Sequence, residues 1–493
     1  MTRMTMSLKY AGLAVVLSLL ACAGDLPPAT PGGSGGSYAG YGGYGATGGV
    51  GGSAAVGGAG GGGGADAGTN DASVIDSGPP STTTVITEPN DPAAYLYDQN
   101  QIRTYNIIVA PNDLATIDQN PMAEVYVPAS LEFEGTTYGS LSVRYKGGFG
   151  AFLPPCSGTQ YSGGGPKTGK CSIKLAFDQV DPNGRFFGLK KLNFHSMNRD
   201  PSMLRDRLGY SLFREMGLVA PRSVHVRVLI NGRLEGLFAI VEQVDGRFTR
   251  SRFSEGGEGN LYKAIWPIHS ADSAYIAALE SNQNQMPSVQ GMLSFKTAVE
   301  TSATATERLI DRDYTMKYVA VDRVIINDDG IFHWWCTMEG AGNNPGGIGN
   351  HNYYWYQELL RERFWLIPWD FDHAFNNSSV VHIAPEWTVS APCTCTVTGN
   401  SFVAQRPPSC DRLTQHFSSW ISDYSRHADA FIAGPFASTA VNAKLDTWTN
   451  QIRASVIEAA GINGAPTEAV WNTNVTALRS FIDAARANRG YQY

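Results

Sequence analysis

Residues 23–84 are mostly Gly, Ala, Ser, Thr and Pro, with runs such as "VGGAGGGGGADAG". A segment with so few large apolar side chains cannot bury enough surface to offset the entropy of ordering it, so it reads as a flexible linker. As a Gly-rich coil of about 60 residues it would span roughly 40–50 Å root-mean-square. The folded part must therefore be built from residues 85–493. Across the chain, 43% of residues are hydrophobic and 11% aromatic, enough for a sizeable core in one large or two smaller domains. The net charge is −7 and no basic block stands out, which argues against nucleic acid as a partner.

Residues 1–22 have the layout of a leader. Arg3 and Lys9 give a positive start, "YAGLAVVLSLL" is an apolar run too short to span a bilayer as a stable helix, and Leu19-Leu20-Ala21-Cys22 follows. "LLAC" resembles a bacterial lipobox, in which the cysteine is lipidated and becomes the new N-terminus. The expectation is an exported lipoprotein of the bacterial cell envelope, held at the membrane through acyl chains on Cys22. Of seven cysteines, six remain beyond Cys22, an even number that favours disulfides in an exported chain. Cys156 and Cys171 flank a Gly-rich loop and are expected to pair. Cys393-x-Cys395 with Cys410 raises zinc as an alternative, but the usual two-residue spacing between ligand cysteines is absent. Pairing among Cys336, Cys393, Cys395 and Cys410 stays open.

Beyond the linker, "TYNIIVAP", "GSLSVRYKG", "CSIKLAFDQ" and "SVHVRVLING" alternate as strands do. "DPSMLRDRLGYSLFREMG" carries Met203, Leu204, Leu208, Leu212 and Met216 at helical spacing, with Gly217 as a stop. "NGRLEGLFAIVEQVD" returns to strand after an Asn-Gly hairpin signal. Residues 270–330 and 411–493 are mostly helical by pattern, with a hairpin between them. Strands first and helices later predict an α+β fold of two lobes, one over about 85–245 and one over about 246–493.

The chemistry concentrates in residues 324–375. "FWLIPWDFD" reads as a buried strand whose end carries Asp370 and Asp372; alternation would put these two on one face and Trp369 and Phe371 on the other. Acids are seldom buried without a partner, so a cation, a phosphate or a sugar is expected there. Upstream, "VIINDDG" is an apolar run ending in Asp328 and Asp329, and Asn352 opens "NYYWYQ". Acid, Asn, hairpin, acid is the order a kinase requires: an Asp near the attacking hydroxyl, then an Asn and an Asp on Mg²⁺, with a lysine from an early strand on the phosphates. Lys174 in "CSIKLAF" supplies such a lysine, with Lys170 in reserve. Beyond the Gly-rich linker, neither a GxGxxG nor a Walker A stretch precedes it.

"VRYKG", the run from "GLKKLNFHSMNRDPSMLRDRLGYSLFREMG" through "LVAPRSVHVRVLINGRLEGLFAIVEQVD", "HNYYWY" and "LIPWDFDHAF" resemble, in order, the CotH family of spore-coat-type protein kinases. The resemblance covers about residues 100–380. It implies an atypical, reduced protein-kinase-like fold and phosphorylation of protein Ser/Thr hydroxyls with ATP and Mg²⁺ or Mn²⁺. By the same resemblance Asp329 takes the catalytic-loop position, with Asp328 as the alternative. Asn352 and Asp370 take the metal positions, Asp372 is a further ligand or a partner of Asp370, and Lys174 meets the phosphates. Glu242, in the hinge-like "AIVEQVD", and Trp365 fall near the adenine. Two stretches depart from the family pattern: Lys146-Gly147-Gly148-Phe149-Gly150 stands where the family usually reads "RGNSS", and a long insert separates Asp329 from Asn352. Beside the kinase stand two other readings: a surface binding or adhesion protein that keeps the fold without transfer, and a metal-dependent glycosyltransferase using Asp370-x-Asp372.

Overall fold

A computed structural model describes residues 91–489 apart from 160–161, 283–287, 337–347, 376–386, 389–390 and 397–403. The leader, Cys22 and the 23–84 linker lie outside the described residues. Seven strands form a closed barrel: β1 Arg103–Val109, β2 Val127–Phe133, β3 Thr136–Tyr145, β4 Ile173–Ala176, β5 Lys191–His195, β6 Ser223–Ile230 and β7 Arg233–Val241. Around the barrel the order is β1-β2-β3-β4-β5-β7-β6. Neighbours are antiparallel except where β6 closes on β1, pairing Tyr105 with Val228 in parallel register. The Asn-Gly signal is a two-residue turn with Asn231 at φ 51° and Gly232 at φ 77°. Positive φ at both positions is what a type I′ hairpin turn requires.

Alternation in β1, β3, β4 and β6 sends Tyr105, Ile107, Val143, Ile173, Leu175, Val224 and Val226 into the barrel's own core. The stretch "LFAIV" in β7 does not alternate because both its faces are covered. Phe238 and Ile240 fill the barrel, while Leu237, Ala239 and Val241 join a second core outside it. Each large side chain buried this way is worth about 1.5–3 kcal/mol relative to exposure.

That second core begins with helix α1, Arg205–Glu215, whose residues 205–213 are all buried. It continues through an antiparallel sheet of β8 Asn260–Lys263, β9 Tyr353–Glu358 and β10 Arg363–Pro368, in that order. Helices α2 Gln290–Thr301, α3 Arg312–Val324, α4 Arg412–Ser419, α5 Ile421–Ala433, α6 Ser438–Ala459 and α7 Glu468–Ala487 are the longer helices of the helical part. All six residues of β9 are buried, and Phe295 of α2 packs on Trp355 and Phe364 across β9 and β10. The protein is thus α+β, strand-rich first and helical later. The described residues belong to one compact unit, within which the two parts have separate cores. Among the described residues no helix is long and apolar enough to cross a membrane.

The cysteines beyond Cys22 close three disulfides: Cys156–Cys171 as expected, Cys336–Cys395 and Cys393–Cys410. The last two take up every cysteine of the zinc alternative, whose thiolates would have to be free to bind metal.

Candidate functional site

The β9–β10 hairpin sets the frame of the site. Asn352 immediately precedes β9 and Asp370 follows β10 by two residues, so the open ends of the hairpin hold them side by side; Trp369 N–H donates to the Asn352 carbonyl at 3.1 Å. Both depart from extended geometry, with φ 64° at Asn352 and 56° at Asp370. This corrects the simple alternation expected for "PWDFD". The strand stops at Pro368, and the left-handed Asp370 redirects the chain, a strained conformation that costs of order 1–3 kcal/mol and persists only where surroundings enforce it. Those surroundings come from α1. Tyr210 Oη accepts the Asp370 N–H at 2.9 Å and Asp206 Oδ1 accepts the Phe371 N–H at 2.8 Å. Phe371 lies against Gly209, where a Cβ would stand 2.5 Å from the ring, so α1 needs a glycine to come this close.

The third acid arrives from the other side. Helix α3 ends at Val324, so "VIINDDG" is a helix C-terminus running into a turn, within the stretch read as mostly helical. Asp328 is fully buried, whereas the half-buried Asp329 reaches the hairpin. Its carboxylate accepts from Asn352 Nδ2 at 2.9 Å, from Trp335 Nε1 at 3.0 Å, and lies 2.7 Å from His351 Nε2. Burial alone would push the Asp329 carboxyl up, but the adjoining His351 imidazole holds it below its ordinary value. Burial and then Asp206 push Asp370 up, and burial and then Asp370 push Asp372 well up. Carboxylates crowd here, a situation a bound cation relieves. The donors offered are oxygens from Asp370, Asp372, Asn352 and Asp329, the set that hard divalent cations such as Mg²⁺ take. His195, Asp206 and Asp370 also bring ligand atoms within 4.8 Å of one another.

Facing these acids is a bank of lysines on the barrel's outer wall. Ile173 and Leu175 point inward, so Lys174 between them points out, in register with Arg144 on β3 and Asn193 on β5. Burial, then Lys191, Lys146, Arg144 and Lys263 push the Lys174 ammonium well below its ordinary value. Lys146, just past β3, is pushed down to about 8 by burial and by Lys263. Arg144 has Glu124 at 2.5 Å. Among the described residues, no carboxylate lies within 4.0 Å of Lys146, Lys174, Lys191 or Lys263. A cluster of lysines without carboxylate partners is suited to an anion, whose charge would favour their ammonium forms.

The structure therefore brings together Asp329, Asn352, Asp370 and Asp372, with Lys146 near Asp370 and Lys174 beside Lys146 on the barrel wall. It does not bring Glu242 or Trp365. The Glu242 side chain is 1% exposed and bonded to Arg222 at 2.6 Å and Arg252 at 2.9 Å, with Arg247 at 3.6 Å; its acceptors are used within the protein. Trp365 is buried between Phe253 and Tyr314, its Nε1 donating to Glu358 at 3.1 Å, so its ring faces are taken by core packing. Lys170 is also set apart, buried with its Nζ on the Leu237 carbonyl at 2.9 Å. Sequence reasoning missed Lys146, His195, Asp206, Tyr210, Lys263 and His351. Only Lys146 left a trace, as the cation ending "VRYKG" just before two glycines; the others meet the site through the fold.

A profile of the family described as "CotH kinase protein" matches residues 143–488. The chain is also similar to "Inner spore coat protein H" of Bacillus subtilis (strain 168), 21% identical over 280 residues, which is 56% of this chain and 70% of the relative.

Proposed function

The chain belongs to the CotH kinase protein family, and from that premise we propose an ATP- and divalent-metal-dependent protein kinase of the cell envelope that phosphorylates Ser or Thr hydroxyls of envelope or surface proteins. One observation carries this reading. Lysines without carboxylate partners, Lys146 among them near Asp370, stand beside a crowded set of carboxylates, and a triphosphate carrying a divalent cation satisfies both at once.

In this reading Lys174 and its neighbours on the barrel wall grip the triphosphate oxygens. Asp370, Asp372 and Asn352 hold the cation, which when bound neutralises charge developing on the transferred group. Asp329 remains an anion at neutral pH because its carboxyl is held low, which suits it to accept or orient the proton of the substrate hydroxyl. That oxygen bonds to the γ-phosphorus as the bond to the bridging oxygen breaks, and ADP leaves. His351, Trp335 and Asn352 fix the Asp329 carboxylate and so set the line of attack.

Export through a lipidated Cys22 belongs to the same proposal. Supporting it are the "LLAC" stretch and the use of all six remaining cysteines in disulfides, a habit of oxidising compartments. The test is incubation of the purified chain with γ-labelled ATP, Mg²⁺ or Mn²⁺, and an envelope extract. Metal-dependent label on Ser or Thr supports the proposal; label on no protein with either metal overturns it. Mass spectrometry of the N-terminal peptide, expected to begin at diacylated Cys22, tests the anchor.

A further inference from the structure

Lys146 has an unusual holder. Its Nζ lies 3.2 Å from His195 Nε2, and His195 Nδ1 lies 3.0 Å from Asp206 Oδ2. An ionised carboxylate only accepts, so the Nδ1 position carries the imidazole proton and Nε2 is left as an acceptor. The hydrogen shared between Nε2 and Nζ is then the ammonium's own. Lys146 gives one N–H to the imidazole and keeps two for another ligand. His195 is 7% exposed and Asp206 4%, which fixes the ring. With Nδ1 donating to Asp206 and Nε2 accepting from the ammonium, the ring carries one proton and no charge. A Lys–carboxylate pair would orient the lysine and neutralise it together; a neutral imidazole orients it and leaves its full charge to act on a ligand.

The direction of that charge follows from two contacts. The Nζ atoms of Lys146 and Lys263 each lie 5.8 Å from the centroid of the Trp369 ring, and Trp369 is the residue before Asp370. Asp206 meanwhile binds His195 with one oxygen and the Phe371 N–H with the other. One carboxylate on α1 thus fixes both the lysine and the backbone that carries Asp370.

We infer that Lys146 is a second triphosphate-binding cation beside Lys174, and that His195, locked by Asp206, is the positioning residue that aims it toward Asp370. This rests on the kinase reading for the identity of the triphosphate as a nucleotide, though not for its binding. In a Lys146→Met variant the dissociation constants for Mg-ATP and for Mg-tripolyphosphate, read by calorimetry, should rise at least about tenfold. His195→Asn keeps a donor for Asp206 but reaches no further, and should raise both constants about three- to tenfold. His195→Gln restores an acceptor for Lys146 and should fall nearer to wild type. The double variant Lys146→Met/His195→Asn should bind no more weakly than Lys146→Met alone, because His195 acts only through that lysine; a merely structural histidine would add its own loss. If Lys146→Met does not fold, Lys146→Gln enters the same cycle.

Additive losses, or an unchanged constant in the Lys146 variant, overturn the relay while phosphate transfer by wild type leaves the kinase reading standing. The non-additive pattern on tripolyphosphate in a protein that transfers no phosphate upholds the relay and removes the kinase reading. Wild type that binds neither ATP nor tripolyphosphate overturns this inference outright.

Discussion

Two charged regions of this protein are built on opposite plans. Around Glu242, Arg222 lies 2.6 Å and Arg252 2.9 Å away, and Asp91 bridges Arg222 to Arg247, so buried charge meets opposite charge. Around Asp370, lysines and carboxylates collect without an ion pair between them among the described residues. The first region satisfies itself and serves stability. In the proposed reading, the second keeps its charges for a metal-bound triphosphate. A buried ion pair alone says little about function; failure to pair, in a cleft where pairing was available, is the more telling sign.

The contrast can be broken by substitution. The largest effect is expected from Asp370→Asn, which keeps size and tolerates the left-handed backbone but removes the charge a hard cation prefers. Phosphate transfer should fall at least about a thousandfold, more than about 4 kcal/mol of barrier, with the thermal midpoint nearly unchanged. Next comes Glu242→Gln, which leaves buried arginines uncompensated. It should lower unfolding free energy in urea by about 3–5 kcal/mol while nucleotide affinity in the folded fraction stays near wild type. Lys174→Met should do the reverse, weakening Mg-ATP binding about tenfold or more with equal or greater stability, since the ammonium it removes is crowded by its neighbours.

The Glu242 region also has its own acid signature. Burial would raise this carboxyl, but Arg252 and Arg222 outweigh burial and hold it down to about 2. A group depressed in the folded state contributes stability that is full above the unfolded value, about 4.3, and lost as pH falls toward about 2. The wild-type chain should lose that increment over this window, and Glu242→Gln should not. The smallest expected effect is that of Asp372→Asn, which should leave far more transfer than Asp370→Asn does.

How much of this could be read in the residues depends on the distance over which each feature is decided. Strands β1, β3, β4 and β6, helix α1 and the Asn231-Gly232 turn follow from local periodicity and turn chemistry. The Cys156–Cys171 bridge spans 15 residues and was legible from its flanking Gly-rich loop. Barrel closure by β6 on β1 joins residues over a hundred positions apart, and no local pattern announces it. The acids of the site were legible because carboxylates behind apolar runs need a reason to be there. Which of Asp328 and Asp329 meets Asn352 was not, because that depends on how the chain turns after α3. Glu242 and Trp365 looked available only because their partners, Arg222, Arg252, Phe253 and Tyr314, are far off in the sequence or unremarkable in it. His195 and Asp206 were invisible for the complementary reason: their meaning lies in touching Lys146 and the Asp370 loop.

The most direct test of the unpaired cleft is a crystal of the chain grown with Mn²⁺ and a non-hydrolysable ATP analogue, recorded at the manganese absorption edge. The expected result is an anomalous peak within about 2.3 Å of the Asp370 carboxylate, with triphosphate oxygens on Lys174 and Lys146 and no disturbance around Glu242. Manganese bound away from Asp370, or a triphosphate that leaves the lysine wall empty, would contradict the account.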